Sequence, residues 1–310
     1  MKVTVEASAS SANLGPGFDV FAIALDVPRD RITLKTEKAT RLSVNIEQVK
    51  GIKTPSLASK NGAGAVCLAI ARDFGIKERI SLEVYKGVPI GLGMGSSGAS
   101  AAAAAVGMNH LFGLGMSGDD MIFYAGKGEE LVSGTAHYDN VSASILGGFV
   151  IVQASGKPTA ISYEAPKGMC LCMATPEVKL PERKTEYARS VLPPNVPLNM
   201  LVSTVANASL IVSGFARGNT AIVGSGMNDR VVEGARKKLI PGYDAVRRAG
   251  KEAGAAGVCI SGAGPTMLAV ADSATCDPRH VLEDMLSAFR GEGVDANGFV
   301  TVPGEGAARV

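Results

Sequence analysis

The chain has little from which a disulfide-stapled or metal-stapled protein could be built. Its 310 residues include five cysteines, Cys67, Cys170, Cys172, Cys259 and Cys276. The number is odd and no Cys-x-x-Cys pair occurs, which argues against both a disulfide framework and a zinc site. Each lies in an apolar stretch, so all five are expected in the core as small buried hydrophobes. Net charge is equally scant: 31 basic against 29 acidic side chains leave +2, which calls for neither nucleic acid nor a membrane surface. Unbroken apolar runs are short. The longest, 101–106, is far below the ~20 residues of a membrane span, and Glu6 interrupts any signal-peptide core. A cytosolic protein is expected.

Glycine, by contrast, is plentiful. The 38 glycines follow no repeat period, which implies many tight turns and several close approaches of backbone to ligand. A content of 46% hydrophobic and 19% charged residues suits a well-buried globular interior. A chain of 310 residues suits two subdomains better than one core. Alternation predicts strands over 2–7, 19–25, 31–36, 41–46 and 80–85. Helices are predicted over 61–73, over an alanine-rich 97–112, and after Ser117, with Asp119 and Asp120 in the first turn. A strand follows over 147–153. After Gly156, strands over 159–163, 169–174, 257–261, 266–271 and 294–302 mix with helices over 182–191, 199–217, from about 229, 243–253 and 278–289. This order predicts an α+β fold rather than a doubly wound parallel sheet. The division is placed near residue 155, giving domains of 1–155 and 156–310.

The most informative segment runs Pro89-Ile90-Gly91-Leu92-Gly93-Met94-Gly95-Ser96-Ser97-Gly98-Ala99-Ser100, between a strand and a helix. Glycines let backbone approach a phosphate, and N–H groups at a helix N-terminus supply donors and a positive dipole end. Ser96 or Ser97 could add a hydroxyl for Mg²⁺. Gly93-x-Gly95-x-x-Gly98 also matches the dinucleotide fingerprint, a weak pattern alone. That fingerprint expects an acid ~20 positions on at a strand end, whereas Asp119 and Asp120 fall at a helix start. No Lys-Ser or Lys-Thr pair follows the glycines, so the segment is not a Walker A loop. A plain turn before an alanine helix is the remaining alternative.

Three segments in order along the chain resemble the motifs of the GHMP family of small-molecule kinases. Pro89-x-x-x-Gly93-x-Gly95-Ser96-Ser97 is similar to its phosphate loop, with Met94 where leucine is usual. Ser10-Ser11-Ala12-Asn13-Leu14-Gly15-Pro16-Gly17-Phe18-Asp19 is similar to its N-terminal substrate motif. Ser261-Gly262-Ala263-Gly264-Pro265-Thr266 is similar to its third motif, a glycine loop packed against the phosphate site. The resemblance implies a two-domain fold, the first domain like domain 2 of ribosomal protein S5 and the second a ferredoxin-like sandwich. It also implies that ATP lies on residues 89–99, with Gly262 and Gly264 behind it and Asn61 and Lys86 flanking the adenine. Ser97 and Glu129 would hold Mg²⁺, although Glu130 is an adjacent alternative.

Further segments are similar to the homoserine kinases within that family. They are His137-Tyr138-Asp139-Asn140-Val141 with Leu146-Gly147-Gly148-Phe149, Thr185-x-x-x-Arg189 with Leu192-Pro193, and Arg236-x-x-Leu239-Ile240-Pro241. The implied reaction moves the γ-phosphoryl of ATP to the hydroxyl of L-homoserine, a step of threonine biosynthesis. The residue types suit an amino acid. Arg189 and Arg236 can clamp a carboxylate, Asp19 can pair an ammonium, and Asn13, His137 and Asn140 can position the chain. The spacing of Thr185 and Arg189 also describes any solvated helix face.

Asn140, Asp139 and Thr185 are the candidates at the transfer itself. Either Asp139 is a general base, as an aspartate is in mevalonate kinase, or Asn140 orients the hydroxyl and the proton passes to phosphate. Shikimate and mevalonate kinases share the phosphate loop, but their substrates carry no ammonium. A non-catalytic nucleotide-binding relative is expected to lack a metal-holding group, and both are present. A hydrolase on Ser97, His137 and Asp139 lacks the Gly-x-Ser-x-Gly elbow. A homodimer is common in the family.

Overall fold

The computed structural model describes residues 1–181 and 184–310. The first sheet begins with β1 (Lys2–Asn13) and β2 (Gly17–Glu37), antiparallel to each other. Where two strands are expected over 19–25 and 31–36, β2 is one strand of 21 residues. The register steps from Ser8↔Arg29 to Ala9↔Leu25, so residues 26–28, including Pro28, are absorbed in a bulge. β3 (Ser43–Gly51) is joined through α1 (Gly62–Asp73) to β4 (Arg79–Lys86), and the two strands pair in parallel. Three helices follow: α2 (Ser96–Phe112), α3 (Gly118–Ser133) and α4 (Tyr138–Leu146). Ser117 and Asp120 close a capping box at the start of α3. β5 (Phe149–Gln153) pairs with β2 and forms a hairpin with β6 (Thr159–Tyr163).

The division expected at residue 155 therefore falls inside a hairpin, and the change of sheet comes between Tyr163 and Met169. Helices α1 to α4 cover one face of the first sheet. Ala101 to Ala105 are all fully buried there against Val5, Ile32 and Leu34. Small side chains let α2 lie flat on the strands, and a Cβ on Gly107 would overlap the Leu34 side chain.

The second half carries β7 (Met169–Pro176), α5 (Lys184–Ser190), α6 (Leu198–Ala216), α7 (Thr220–Gly226), α8 (Val232–Arg236) and α9 (Tyr243–Glu252). It continues with β8 (Gly257–Ile260), β9 (Met267–Asp272), α10 (Pro278–Gly291) and β10 (Ala296–Thr301). The helix expected from Glu182 has its first residues outside the described ones. The helix expected from about 229 is instead the short α8, with Asp229 capping it through the N–H groups of Val232 and Glu233. The sheet order β10-β7-β9-β8 is antiparallel throughout, the ferredoxin-like arrangement.

Alternation along β7 sends Cys172 and Ala174 toward α9 and α10. Leu171 and Met173 point the other way, into a cluster shared with Phe21, Ile23 and Phe149 of the first sheet and with Ile211 and Phe215 of α6. Phe149 and Phe215 stack face to face with ring centroids 4.0 Å apart. Residues 303–309 return to the first sheet. Gly304 donates to Ala24 and accepts from Gly148, Ser8 donates to the Glu305 carbonyl, and β11 (Ala308–Arg309) pairs with β1.

Cys67, Cys172 and Cys259 are buried as expected, whereas Cys170 and Cys276 are half-buried at the rim of the second sheet. α6 corrects the expectation drawn from short apolar runs. Its serines, threonine and asparagines break any run, yet by length and composition it is long and apolar enough to cross a membrane. Leu198, Val202 and Val205 on it are exposed, while Ile211 and Phe215 are buried.

Because both sheets close on one core, Phe215→Ala is expected to lower stability by about 3–5 kcal/mol. Urea unfolding followed by circular dichroism should show one transition, moved as a whole rather than split in two.

Candidate active site

Three loops converge where the two sheets meet. The first spans β4 to α2, with Gly91, Gly93 and Gly95 all at positive φ. A side chain on Gly95 would collide with Ser10 Oγ and Asn140 Oδ1. One on Gly93 would meet the Ser261 carbonyl and would lie 2.8 Å from the Gly264 carbonyl. Met94 turns its side chain into the shared core and gives its carbonyl to the Ser10 N–H, 3.1 Å away. The loop thus exposes backbone and anchors itself by the buried side chains of Val88 and Met94, with Gly95 left-handed at the head of α2. The second loop, between β8 and β9, lies against it, the Ser261 hydroxyl 2.7 Å from the Gly93 carbonyl.

The third loop is the turn 13–19. Asn13, Leu14 and Asp19, all at positive φ, are the non-glycine residues so placed among the described ones. Strained backbone of this kind marks sites over-determined by their surroundings. The Asn13 amide donates to the Gly262 carbonyl at 2.8 Å and accepts from the Asp19 N–H at 3.3 Å. Asp19 is held bidentately by Arg189 of α5, both contacts 2.9 Å. The guanidiniums of Arg189 and Arg236 lie 5.3 and 5.2 Å from the centroid of the Phe18 ring. Arg236, buried on α8, donates to the carbonyls of Ala188 and Gly262. Burial, then the charge of Arg189, holds its basicity down.

Facing these, Ser97 on α2 donates to the buried carboxylate of Glu129 on α3, whose other oxygen accepts from the His137 N–H at 3.0 Å. The His137 ring lies 3.6 Å from Glu129, and its buried Nε2 has no partner among the described residues. Burial works against the imidazolium, but Glu129 and Asp139 more than offset it, and the pKa rises. Asp139 is buried at the start of α4. Burial first, and the charge of Asp19 next, push its carboxyl up to about 6. Its Oδ1 accepts both the backbone N–H and the side-chain amide of Asn140, at 2.7 and 3.0 Å. Asn140 Oδ1 in turn accepts from Ser10 at 2.9 Å.

The matches to known proteins cover both halves. Residues 61–148 match the family model for the N-terminal domain of GHMP kinases, and 211–289 match that for the C-terminal domain. A homoserine kinase of Haloarcula marismortui is 44% identical over 98% of this chain and 99% of its own length. The chain belongs to the GHMP kinases. A homoserine kinase of Natronomonas pharaonis is 42% identical, again over 98% of this chain and 99% of its own length. The crystal structure of a homoserine kinase from Cytophaga hutchinsonii superposes with a TM-score of 0.90 at 32% identity, covering 100% of this chain and 97% of that one.

Within this GHMP kinase the expected residues divide into two groups. Asn13, Asp19, Glu129, His137, Asp139, Asn140, Arg189, Arg236, Gly262 and Gly264 surround the cleft beside loop residues 89–99, with Ile90 at its exposed edge. Thr185 is exposed on α5 and makes no polar contact among the described residues. Asn61 and Lys86 both spend their polar groups on the protein itself. Asn61 caps α1, accepting from Ala63 and Gly64, and gives its amide hydrogens to Thr54 and Pro55.

Lys86 lies beneath the loop, spending its three hydrogens on Asp30, Ser96 and Ser100. No polar group of either side chain remains for an adenine. Motif reading misses Asp30 and Lys184, and it includes Ser10 and Phe18 in the N-terminal motif without giving them a role. Asp30 falls between the two strands expected over 19–25 and 31–36, and only the continuous β2 shows it to be a buried mid-strand carboxylate that demands a cation.

Lys86→Met would leave the Asp30 carboxylate buried without its cation. A loss of about 3–5 kcal/mol in denaturant unfolding is expected, with part recovered when Asp30→Asn is added to the same chain.

Proposed function

We propose that this GHMP kinase transfers the γ-phosphoryl of ATP to the hydroxyl of L-homoserine, forming O-phospho-L-homoserine and ADP. The observation that carries this reading is the Arg189–Asp19 pair beside Arg236, stacked over Phe18. The pair is half-exposed and can be opened by a ligand that replaces both partners at once. An amino-acid zwitterion does so: its carboxylate takes the guanidiniums and its ammonium takes Asp19, leaving no charge unmatched. Shikimate and mevalonate bring a carboxylate alone and would strand Asp19. The full-length relatives named homoserine kinase support the same choice.

The backbone N–H groups of residues 93–97 at the head of α2 suit the nucleotide phosphates. Ser97 and Glu129 present two hard oxygens face to face, one buried. That donor set fits Mg²⁺, which takes one or two protein ligands and fills its shell from phosphates and water. When bound there, the ion would neutralise charge on the phosphates.

Asn140 is fixed from both ends, by Ser10 and by Asp139, and keeps a second amide hydrogen and a second lone pair for the homoserine hydroxyl. The hydroxyl oxygen bonds to the γ-phosphorus as the bond to the bridging β–γ oxygen breaks. The hydroxyl proton passes to a phosphoryl oxygen, and Asp139 serves to hold Asn140. Positioning and charge neutralisation supply most of the acceleration in such a loose transition state. The reading makes the protein a cytoplasmic biosynthetic enzyme without nucleic-acid or membrane partners, and the exposed apolar residues of α6 suit a homodimer.

An ADP-release assay with Mg·ATP tests the substrate. L-Homoserine should support turnover, and Arg189→Ala should raise its KM by about 10–150-fold, the worth of a charged hydrogen bond. Activity with shikimate or mevalonate in its place would overturn the assignment. Asp139→Asn separates the two mechanisms. Without a base it should lose less than ~100-fold in kcat. The wild type should then keep its kcat as Asp139 takes up a proton below pH about 6. A loss beyond that, with an acidic limb present in wild type alone, would make Asp139 the base.

A further inference from the structure

Lys184 opens α5 with its side chain carried inward. Its ammonium donates to the Gly264 carbonyl, and that carbonyl sits 2.8 Å from where a Cβ on Gly93 would lie. One carbonyl thus separates the ammonium from the middle glycine of the phosphate loop. The segment before α5 touches the same loop, with Leu180 Cδ1 3.2 Å from the Cβ position of Gly91. Lys86, buried beneath the first glycine loop, has Asp30 as its counter-ion. Among the described residues no carboxylate pairs with Lys184, and the charge that bears on it is Arg236, of the same sign. A half-buried ammonium beside a second cation is unfavourable unless an anion joins them. A tie to one carbonyl needs no charge, since any neutral donor could make it.

We propose that Lys184 is a further catalytic residue: its ammonium meets the terminal phosphoryl group of the nucleotide and neutralises the charge spread over its peripheral oxygens during transfer. This rests on the ATP half of the reading above and not on the identity of the acceptor. Among the described cations of the cleft, Arg189 faces Asp19, and Arg236 faces Phe18 and two carbonyls. Among the described residues, Lys184 is the cation set against both glycine loops. Burial, then Arg236, brings its pKa down to about 8, so it is charged at neutral pH and loses that charge on the alkaline side. Charge placed where a dissociative transition state develops it acts on the rate rather than on acceptor binding.

Calorimetric binding of ATP and of ADP to Lys184→Met, with Mg²⁺ and without acceptor, tests this. ATP affinity should fall at least ~10-fold while ADP affinity stays within ~2-fold, because ADP lacks the group addressed. In the full reaction kcat should drop ~100-fold with the acceptor KM little changed. In wild type, kcat/KM for ATP should decline above pH about 8. Lys184→Arg should restore most of the ATP/ADP ratio and abolish that decline, since a guanidinium stays charged. Equal losses for both nucleotides, or no loss of either, would reduce Lys184 to a tether of α5 and overturn the proposal. Should the methionine variant not fold, the arginine variant decides, and an alkaline decline that persists in it is the overturning result. Binding without acceptor stands even if homoserine proves to be the wrong substrate, so the two readings fail separately.

Discussion

A carboxylate and an ammonium buried together under a glycine loop hold this molecule in its working shape. Asp30 is fully buried in β2 and takes the Lys86 ammonium together with the N–H groups of Gly87 and Val88. Lys86 passes the constraint on to Ser96 and Ser100, the first turn of α2. Strand, loop and helix are thereby tied at one point. A loop of glycines has no side chains with which to define itself, so its shape must be imposed from below. The loop's outer face stays bare backbone because the polar side chains that shape it lie on the other side.

Above that floor, the cleft is held together by the partners of its three carboxylates. Asp19 meets Arg189, Glu129 meets Ser97 and His137, and Asp139 meets Asn140. Asp19 lies on β2 and Arg189 on α5, so that pair forms only when the two halves pack together. The stacked pair Phe149–Phe215 lies in that shared core, which makes packing and site geometry parts of one problem.

What the sequence makes legible follows from locality. Glycine spacing encodes backbone shape directly, so the loops at 89–98 and 261–265 and the turn at 13–19 can be found without a structure. The pairing of Asp19 with Arg189 spans 170 residues and leaves no local trace. Lys86 misleads because a lysine beside a glycine loop suggests a ligand contact, and only burial reveals that its three hydrogens are taken. α4 escapes notice because His137 caps it without a side-chain hydrogen bond. β2 escapes as a single strand because Pro28 suggests a break that the bulge accommodates. Lys184 has no motif at all. Its interest lies in having no paired carboxylate among the described residues, which no single residue can announce.

Residues 303–309 close the first sheet after the whole second sheet has been made. Gly304, Glu305 and Ala307 engage Ala24, Gly148, Ser8 and Ser144, and β11 lies along β1. On a ribosome, β1 and β2 emerge first yet wait for nearly the entire chain before their final neighbours arrive. The N-terminal half must therefore spend its synthesis with an unfinished edge and an uncovered face. For this architecture translation order and folding order are opposed, and exposure of that edge during synthesis is where protection by a chaperone would matter most.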